Sequence, residues 1–187
     1  MSDSRQHLVQ LLAKRSTRRG SFTLASGKQS SFYIDARLTT MSPDGLSTIG
    51  PAALSLIRER GWDPDSVGGL TLGADPVSYA ISYASASGPR PIRAFTVRKE
   101  AKAHGTGKLI EGPFVERDRV VVVEDVVTTG GSALRAIEAI RAAGGRVLGV
   151  LAVVDREEGG REAIEATGIS VASLARVSEI LSLVPQP

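Results

Sequence analysis

An alternation of short apolar segments with helical patterns, beginning near residue 67, constrains the fold more than any other feature. The four consecutive valines at 120–123 form one of these segments, and a run without polar residues suits a strand that is buried on both faces. Strands that alternate with helices imply a parallel sheet covered by helices on both sides, so the pattern predicts an α/β fold. The predicted elements are strands at 67–72, 93–97, 120–124, 146–154 and 169–174 and helices at 76–86 and 132–143.

The first 35 residues do not follow this alternation. Leucines recur at helical spacing over 4–19 and predict a helix that ends at Gly20. The segment 21–35 then predicts two short strands around a turn at Ser26 and Gly27. We therefore expect a small helix-and-hairpin unit ahead of the parallel sheet.

A longer helix is predicted between this unit and the sheet. Ser42 is a good N-cap, and Pro43 suits the first turn of a helix, which should run to about Arg60. Proline inside a helix removes a hydrogen bond and crowds the preceding turn. The pair Gly50 and Pro51 is therefore expected to kink or split this helix.

The composition excludes several classes of function. The 187 residues suffice for one core and are few for two, so we expect a single domain over 1–187. A net charge of +3 does not require a nucleic-acid partner. The basic residues at 14–19 could bind a polyanion, but cations near a helix C-terminus also complement its dipole. Cysteine is absent, and no apolar run approaches the roughly 20 residues of a membrane span. We expect a cytoplasmic protein that binds neither nucleic acid nor a membrane.

The strongest chemical motif directly follows the valine strand. Segment 124–132 begins with Glu124 and Asp125 and continues into a turn rich in threonine and glycine that opens a helix. Backbone N–H groups and hydroxyls in such a turn can bind an anion at a helix N-terminus. The carboxylates can accept hydrogen bonds from vicinal hydroxyls of a sugar. Alone, Ser132 could be a simple N-cap and the acidic pair a solvated loop edge, but together they predict a sugar-phosphate site.

This motif resembles the phosphoribosyl pyrophosphate signature of type I phosphoribosyltransferases, in which hydrophobic residues precede an acidic pair and a threonine- and glycine-rich loop. Other phosphate motifs do not fit, because GxxxxGK[ST] is absent and the segment 105–112 does not match GxGxxG. The resemblance implies that Asp125 is a catalytic residue. The residues that it implies for binding phosphoribosyl pyrophosphate here are Glu124, Asp125, Val126, Val127, Thr128, Thr129, Gly130, Gly131 and Ser132.

A second loop, 98–112, concentrates basic residues around glycines. By itself it could be an ordinary charged surface loop. It resembles the flexible catalytic loop of orotate phosphoribosyltransferases, in which basic residues contact pyrophosphate and the loop closes over the site of a partner subunit. The resemblance implies a homodimer with shared active sites, a catalytic Lys102, and further contacts to phosphoribosyl pyrophosphate from Arg98, Lys99 and His104.

A third loop within 68–80 resembles the pyrophosphate loop of the same family. Asp75 precedes Pro76 and could equally be the N-cap of the next helix. Some relatives carry a lysine in this loop that contacts pyrophosphate, whereas this sequence has none. The positive charge must therefore come from elsewhere in the chain.

The segment 26–35 resembles the part of the family that faces the base. The resemblance implies that Phe32 and Tyr33 provide a wall for orotate, although either aromatic could simply pack in the core. It also implies contacts from Thr128 and from Arg156, whose planar guanidinium suits a carboxylate. Many relatives have lysine at the position of Ala25, and no role is assigned to Lys28.

The motifs occur in the family's order over 22–181. They imply a type I phosphoribosyltransferase fold, with a central parallel sheet of five or slightly more strands, flanking helices and an N-terminal hood of about 1–40. The implied reaction joins orotate to phosphoribosyl pyrophosphate in pyrimidine (UMP) biosynthesis. It uses Mg²⁺ held mainly by substrate and water, so no protein metal ligands are predicted. Two alternatives remain, a phosphoribosyltransferase for another base and a regulatory protein that retains the phosphoribosyl pyrophosphate site.

Overall fold

The computed structural model describes residues 3–23, 27, 29–100 and 108–186. Strands and helices alternate from residue 66 onwards, as the sequence predicts. The strands are β1 (Thr17–Thr23), β2 (Gln29–Ile34), β3 (Ser66–Leu70), β4 (Arg93–Val97), β5 (Ile110–Glu111), β6 (Arg119–Val127), β7 (Arg146–Asp155) and β8 (Val171–Arg176). The helices are α1 (Asp3–Leu11), α2 (Arg37–Thr40), α3 (Pro43–Glu59), α4 (Ala74–Ser85), α5 (Gly131–Ala142), α6 (Gly160–Glu165) and α7 (Val177–Leu183).

The main sheet has six strands in the order β5-β4-β3-β6-β7-β8. All neighbours pair in parallel except β5, which runs antiparallel to β4 at the edge. This confirms the predicted α/β fold with a central parallel sheet. The short β5 lies where the sequence predicts only loop, because its pairing with a strand more than ten residues earlier leaves no local pattern.

Strand β6 lies inside the sheet and passes through both halves of the core. The side chains of Val121 and Val123 pack in one apolar cluster with α1, α3, α4 and α7, and those of Val120 and Val122 pack in the other with α5 and α6. All four valines are fully buried, as predicted for a strand covered on both faces. Because full burial of one valine contributes roughly 1.5 kcal/mol or more, this strand is a rigid base for the loop that follows it.

The N-terminal helix is shorter than the sequence predicts. Regular α-helix ends at Leu11, a π-helical turn follows over Leu12–Ser16, and the chain then becomes extended in β1. Predicting a helix as far as Arg19 was wrong because β1 pairs with β2, placing Thr17 opposite Ile34. This long-range ladder outweighs the local helical spacing. The two predicted strands of the hairpin are confirmed.

Helix α3 begins at its predicted N-cap, where the Ser42 hydroxyl accepts a hydrogen bond from the Gly45 N–H at 3.2 Å. The helix is not split at Gly50 and Pro51, because it continues through both residues, and a kink there stays a prediction. A Cβ on Gly50 would lie 2.5 Å from the carbonyl oxygen of Ala80 in α4. Glycine is therefore required at this position for α3 and α4 to approach closely. This packing stabilises the helical conformation of α3 despite Pro51.

Helix α1, which precedes the hairpin in the chain, packs against the main sheet and its helices through contacts with α3, α7 and β8. Its Leu8 is fully buried in the same apolar cluster as the β6 side chains. Within the described part of the chain, no helix combines the length and hydropathy that crossing a membrane requires.

Candidate active site

A cleft of about 330 Å³ opens where the hairpin unit faces the carboxyl ends of the parallel strands. Ligands bind at this edge of open parallel sheets. Five regions form its walls: the end of β2 with the start of α2, the turn after β3, the segment after β4, the end of β6 with its loop, and the residue after β7. The predicted site residues that line it are Tyr33, Lys99, Glu124, Asp125, Val126, Thr128, Ser132 and Arg156.

The loop after β6 encloses an adjoining pocket of about 100 Å³. Its walls are Glu124 and the continuous stretch 126–133, so Val127, Thr129, Gly130 and Gly131 lie here. Helix α5 begins at Gly131 and is preceded by Gly130, not by Ser132, as its N-cap. The alternative of Ser132 as a simple N-cap is therefore wrong.

Gly130 is required by the shape of this loop. Its φ of 82° is left-handed, and a Cβ would lie 2.8 Å from the carbonyl oxygen of Gly160. A side chain would both strain the backbone and separate the loop from the start of α6. The small pocket at the N-terminus of α5 therefore depends on glycine and suits an anion such as a phosphate.

The two carboxylates at the end of β6 have different surroundings. Glu124 is only 6% exposed, and its Oε2 has no hydrogen-bond partner among the described residues. Burial, together with the adjacent charge of Asp125, raises the pKa of Glu124 to about 9. Asp125 is half-buried, and its Oδ1 accepts a hydrogen bond from the Val126 N–H at 2.9 Å. At neutral pH Glu124 retains its proton, so the pair can both donate to and accept from a sugar diol.

The turn after β3 lies directly against Asp125. A Cβ on Gly73 would lie 2.4 Å from Asp125 Oδ1, so only glycine permits this approach. The Thr71–Leu72 peptide bond is cis. Helix α4 begins at Ala74, so Asp75 is not its N-cap.

Asp75 instead stabilises the turn. It is buried, and its two carboxylate oxygens accept hydrogen bonds from the hydroxyls of Thr71 and Thr96, both at 2.8 Å. These bonds join the turn to β4. The interpretation of Asp75 as an N-cap is wrong because its side chain is directed to these hydroxyls, and its contribution to the site is structural support of the turn.

Arg156 lines the cleft and contacts the ring of Phe32. The Arg156 guanidinium lies 4.8 Å from the centroid of the Phe32 ring and is ion-paired with Glu158 at 2.8 Å. Phe32 is half-buried, packs against the core and is not among the residues that line the cleft, so the core interpretation is confirmed and its contact with orotate stays a prediction. Tyr33 is 43% exposed and contacts the ring of Phe22 with 5.7 Å between centroids. It is therefore a wall of the cleft and not a core residue.

The predicted basic residues after β4 separate into three groups. Lys99 lines the cleft. Arg98 is not among the lining residues, and its guanidinium lies 3.7 Å from the carboxylate of Glu111. Lys102 and His104 lie outside the described residues.

Two charged residues that line the cleft, Asp35 and Arg37, were not among the predicted site residues. The Arg37 side chain forms a forked ion pair with the Asp35 carboxylate, with Nε to Oδ1 at 2.8 Å and a terminal nitrogen to Oδ2 at 3.0 Å. Their position just after β2 could have indicated a role in the site, because a charged pair at the end of the hairpin faces the sheet.

The donor set fits a metal ion that is held mainly by its ligand. Among the residues that the structure describes, no group of three or more histidines or carboxylates is placed to hold a metal. Of the acidic pair in the cleft, only Asp125 offers a carboxylate, because Glu124 retains its proton. This suits a magnesium ion whose ligands are mostly substrate oxygens and water.

Comparison with known proteins agrees with this geometry. A family model described as a phosphoribosyl transferase domain matches residues 52–173. An orotate phosphoribosyltransferase of Aquifex aeolicus is 50% identical over 180 residues, which cover 95% of this chain and 97% of that protein. A crystal structure of Mycobacterium tuberculosis orotate phosphoribosyltransferase superposes with a TM-score of 0.83 at 45% identity, covering 95% of this chain and 98% of that one. Another, in complex with 5-phospho-alpha-D-ribosyl 1-diphosphate, gives 0.80 at 42% identity with the same coverage of 95% and 98%.

Proposed function

This chain belongs to the orotate phosphoribosyltransferase family, and from that membership we propose that it transfers ribose 5-phosphate from phosphoribosyl pyrophosphate to orotate in pyrimidine biosynthesis. The products are orotidine 5-phosphate and pyrophosphate. The observation that carries the proposal is one cleft that contains Glu124 and Asp125 for a sugar phosphate and also Tyr33 and Arg156, the latter in contact with the ring of Phe32. A pentosyltransferase of this kind needs both sets of residues within the length of one nucleotide.

In the proposed complex, the 5-phosphate binds in the loop 126–132, and the ribose hydroxyls bind Glu124 and Asp125. The ring nitrogen of orotate forms a bond to C1 of the ribose while the bond from C1 to pyrophosphate breaks, and the bonding electrons leave with pyrophosphate. No protein nucleophile is needed. The chain acts by holding both substrates in line and by stabilising charge that develops at C1 and on the leaving group.

Magnesium would be bound with phosphoribosyl pyrophosphate, close to Glu124 and Asp125, and would neutralise part of the pyrophosphate charge. The basic residues Lys99, Lys102 and His104 would add positive charge at the same group, and Arg98 would do so only if it leaves Glu111. Groups that act on the developing charge stabilise the transition state more than the ground state. Closing the loop would also exclude water, which could otherwise capture the reactive ribose.

Orotate is the base that the far end of the cleft fits best. Arg156 is 7% exposed, lies beside Phe32 and is paired with Glu158, so an anionic base would bind a buried guanidinium that it shares with Glu158. We propose that Arg156 binds the orotate carboxylate or a ring carbonyl, with Thr128, Phe32 and Tyr33 lining the base. A neutral purine offers no carboxylate to this guanidinium.

We also propose that the enzyme is a homodimer of single-domain chains, each with its hood at about 1–40. Helix α4 and the turn before it carry an exposed apolar stripe, with Leu72, Tyr79 and Tyr83 exposed by 55%, 54% and 87%. The Tyr79 hydroxyl is 3.3 Å from the Thr96 hydroxyl in β4, the strand that leads into the basic loop. A second copy docked on this stripe would therefore lie beside that loop, as a shared site requires.

The direct test measures phosphoribosyl transfer from phosphoribosyl pyrophosphate with magnesium to orotate, in parallel with uracil, hypoxanthine and adenine. We expect turnover of orotate and at least 100-fold lower rates with the others, because they lack the carboxylate. Preferred transfer to another base would favour a different phosphoribosyltransferase. Binding of phosphoribosyl pyrophosphate without turnover of any base would favour the regulatory alternative.

A further inference from the structure

The cleft is rich in carboxyl groups, although the proposed reaction places an anionic leaving group in it. Asp35, Glu124 and Asp125 all line it, and the turn 71–73 between them contains no basic residue. Pyrophosphate carries several negative charges, so this region requires cations to bind it.

The described cations of the cleft are Arg37, Lys99 and Arg156. Arg156 is committed to the other end, where it pairs with Glu158 beside Phe32. Lys99 follows β4, on the outer side of the turn. Arg37 comes from the hood and lines the same cleft as the turn 71–73 and Asp125.

Arg37 is firmly held yet retains binding capacity. Its backbone N–H also donates to Asp35 Oδ1 at 3.2 Å, and the Asp35 N–H donates to the Ser16 carbonyl at 2.8 Å. Nε and one terminal nitrogen bind Asp35, while the other terminal nitrogen has no hydrogen bond within the described part of the chain. About half of the side chain is exposed to the cleft and solvent.

The position of Arg37 suits binding of the pyrophosphate group and not of the 5-phosphate. Arg37 does not line the 100 Å³ pocket of the loop after β6, but it shares the larger cleft with the turn 71–73. The acidic pair at the end of β6 lies between the two places. A sugar held by that pair would direct its two phosphate groups to opposite sides.

We propose that Arg37 binds the pyrophosphate group of phosphoribosyl pyrophosphate from the hood, and that Asp35 positions it. This inference rests on the proposed function. A guanidinium matches the geometry of phosphate oxygens with two parallel donors, and a half-exposed one can bind without full desolvation. Since the charge on pyrophosphate grows as its bond to C1 breaks, Arg37 would act in the transition state as well as in binding. It would provide the charge that the turn after β3 lacks.

The test is calorimetric binding of two ligands to the full chain, magnesium pyrophosphate and ribose 5-phosphate. For Arg37→Gln we expect the affinity for magnesium pyrophosphate to fall on the order of 10- to 100-fold, as for the loss of a charged hydrogen bond. The affinity for ribose 5-phosphate should remain within about twofold. Arg37→Lys retains the charge without the fork and should bind pyrophosphate with intermediate affinity.

Arg90→Gln is the matched control, because Arg90 is also an exposed arginine paired with an aspartate, Asp63 at 2.5 Å. Arg90 precedes β4, at the amino end of the sheet, so neither affinity should change. Asp35→Asn should weaken pyrophosphate binding less than Arg37→Gln and leave ribose 5-phosphate unaffected. Equal weakening of both ligands in these variants would indicate a general distortion of the hood and overturn the inference.

The two proposals fail in different ways. If the wild-type chain neither binds ribose 5-phosphate nor consumes orotate, the proposed function is wrong. If it does both and Arg37→Gln binds magnesium pyrophosphate as tightly as wild type, the function stands and the role of Arg37 is wrong.

Discussion

At the sugar-phosphate end of the cleft, the acidic pair and the glycine-rich loop come from one continuous segment, 124–132, that begins in strand β6 next to four fully buried valines. At the base end, Phe32 arrives from the hairpin and Arg156 from the loop after β7, and they meet by a cation-π contact. The first end is a backbone structure fixed by the sheet, whereas the second is a meeting of side chains from separate elements. Substitutions should therefore act differently at the two ends, and the following predictions test that contrast.

The largest effect is expected for Asp125→Asn. The carboxylate is half-buried, and its Oδ1 accepts a hydrogen bond from the adjacent Val126 N–H, a local contact on which the fold depends little. We expect turnover to fall on the order of 1,000-fold, by analogy with loss of a preorganised electrostatic group, with a melting temperature close to wild type. Steady-state kinetics and thermal unfolding of the same preparation check this. A melting temperature that collapses with activity would show that the carboxylate supports the sheet end structurally.

The next effect concerns the basic loop, which is expected to act on the sugar-phosphate end of a neighbouring chain. Lys102→Ala should lower turnover on the order of 100-fold while the Michaelis constants change less, because the lysine acts on developing charge. Mixing Lys102→Ala chains with Asp125→Asn chains should then restore activity, since a heterodimer contains one site with both groups intact. Confirmed subunit exchange without recovered activity would falsify the shared site.

A smaller and more selective effect is expected at the base end. Arg156→Ala should raise the Michaelis constant for orotate by about 10-fold or more, in line with the loss of a charged hydrogen bond, and leave that for phosphoribosyl pyrophosphate nearly unchanged. Arg156→Lys retains the charge and separates the need for a cation from the need for a planar fork. If phosphoribosyl pyrophosphate is the substrate affected, the two ends of the cleft have been assigned in reverse.

The contrast also explains which features could be predicted from the sequence. The parallel sheet and the loop 124–132 were predictable because strand burial, glycines and the acidic pair are adjacent in the chain. The end of α1 was mispredicted, since β1 forms only through pairing with β2. Asp35 and Arg37 were missed for a similar reason, because only the packing of the hood over the sheet brings them to the cleft. Local patterns specify elements, whereas contacts between distant segments complete the site.

The last prediction concerns stability and not turnover, and it uses the buried carboxyl at the sugar-phosphate end. The pKa of Glu124 is raised to about 9 in the folded chain, whereas in the unfolded chain it should be near the ordinary value of about 4.3. The folded state therefore holds a proton that the unfolded state releases between these values, and the stabilisation present at low pH is lost as the pH rises through this range. Glu124→Gln, which cannot ionise, should gain stability relative to wild type from about pH 5 to pH 9, by at most about 1.4 kcal/mol per pH unit. Urea unfolding of both proteins across this range measures the difference, with Glu138→Gln on the exposed face of α5 as the control for loss of a carboxylate. A difference between Glu124→Gln and wild type that does not change with pH would mean that Glu124 is ionised in the folded chain, and the rigid end of the cleft would then bind ribose with two negative charges instead of one.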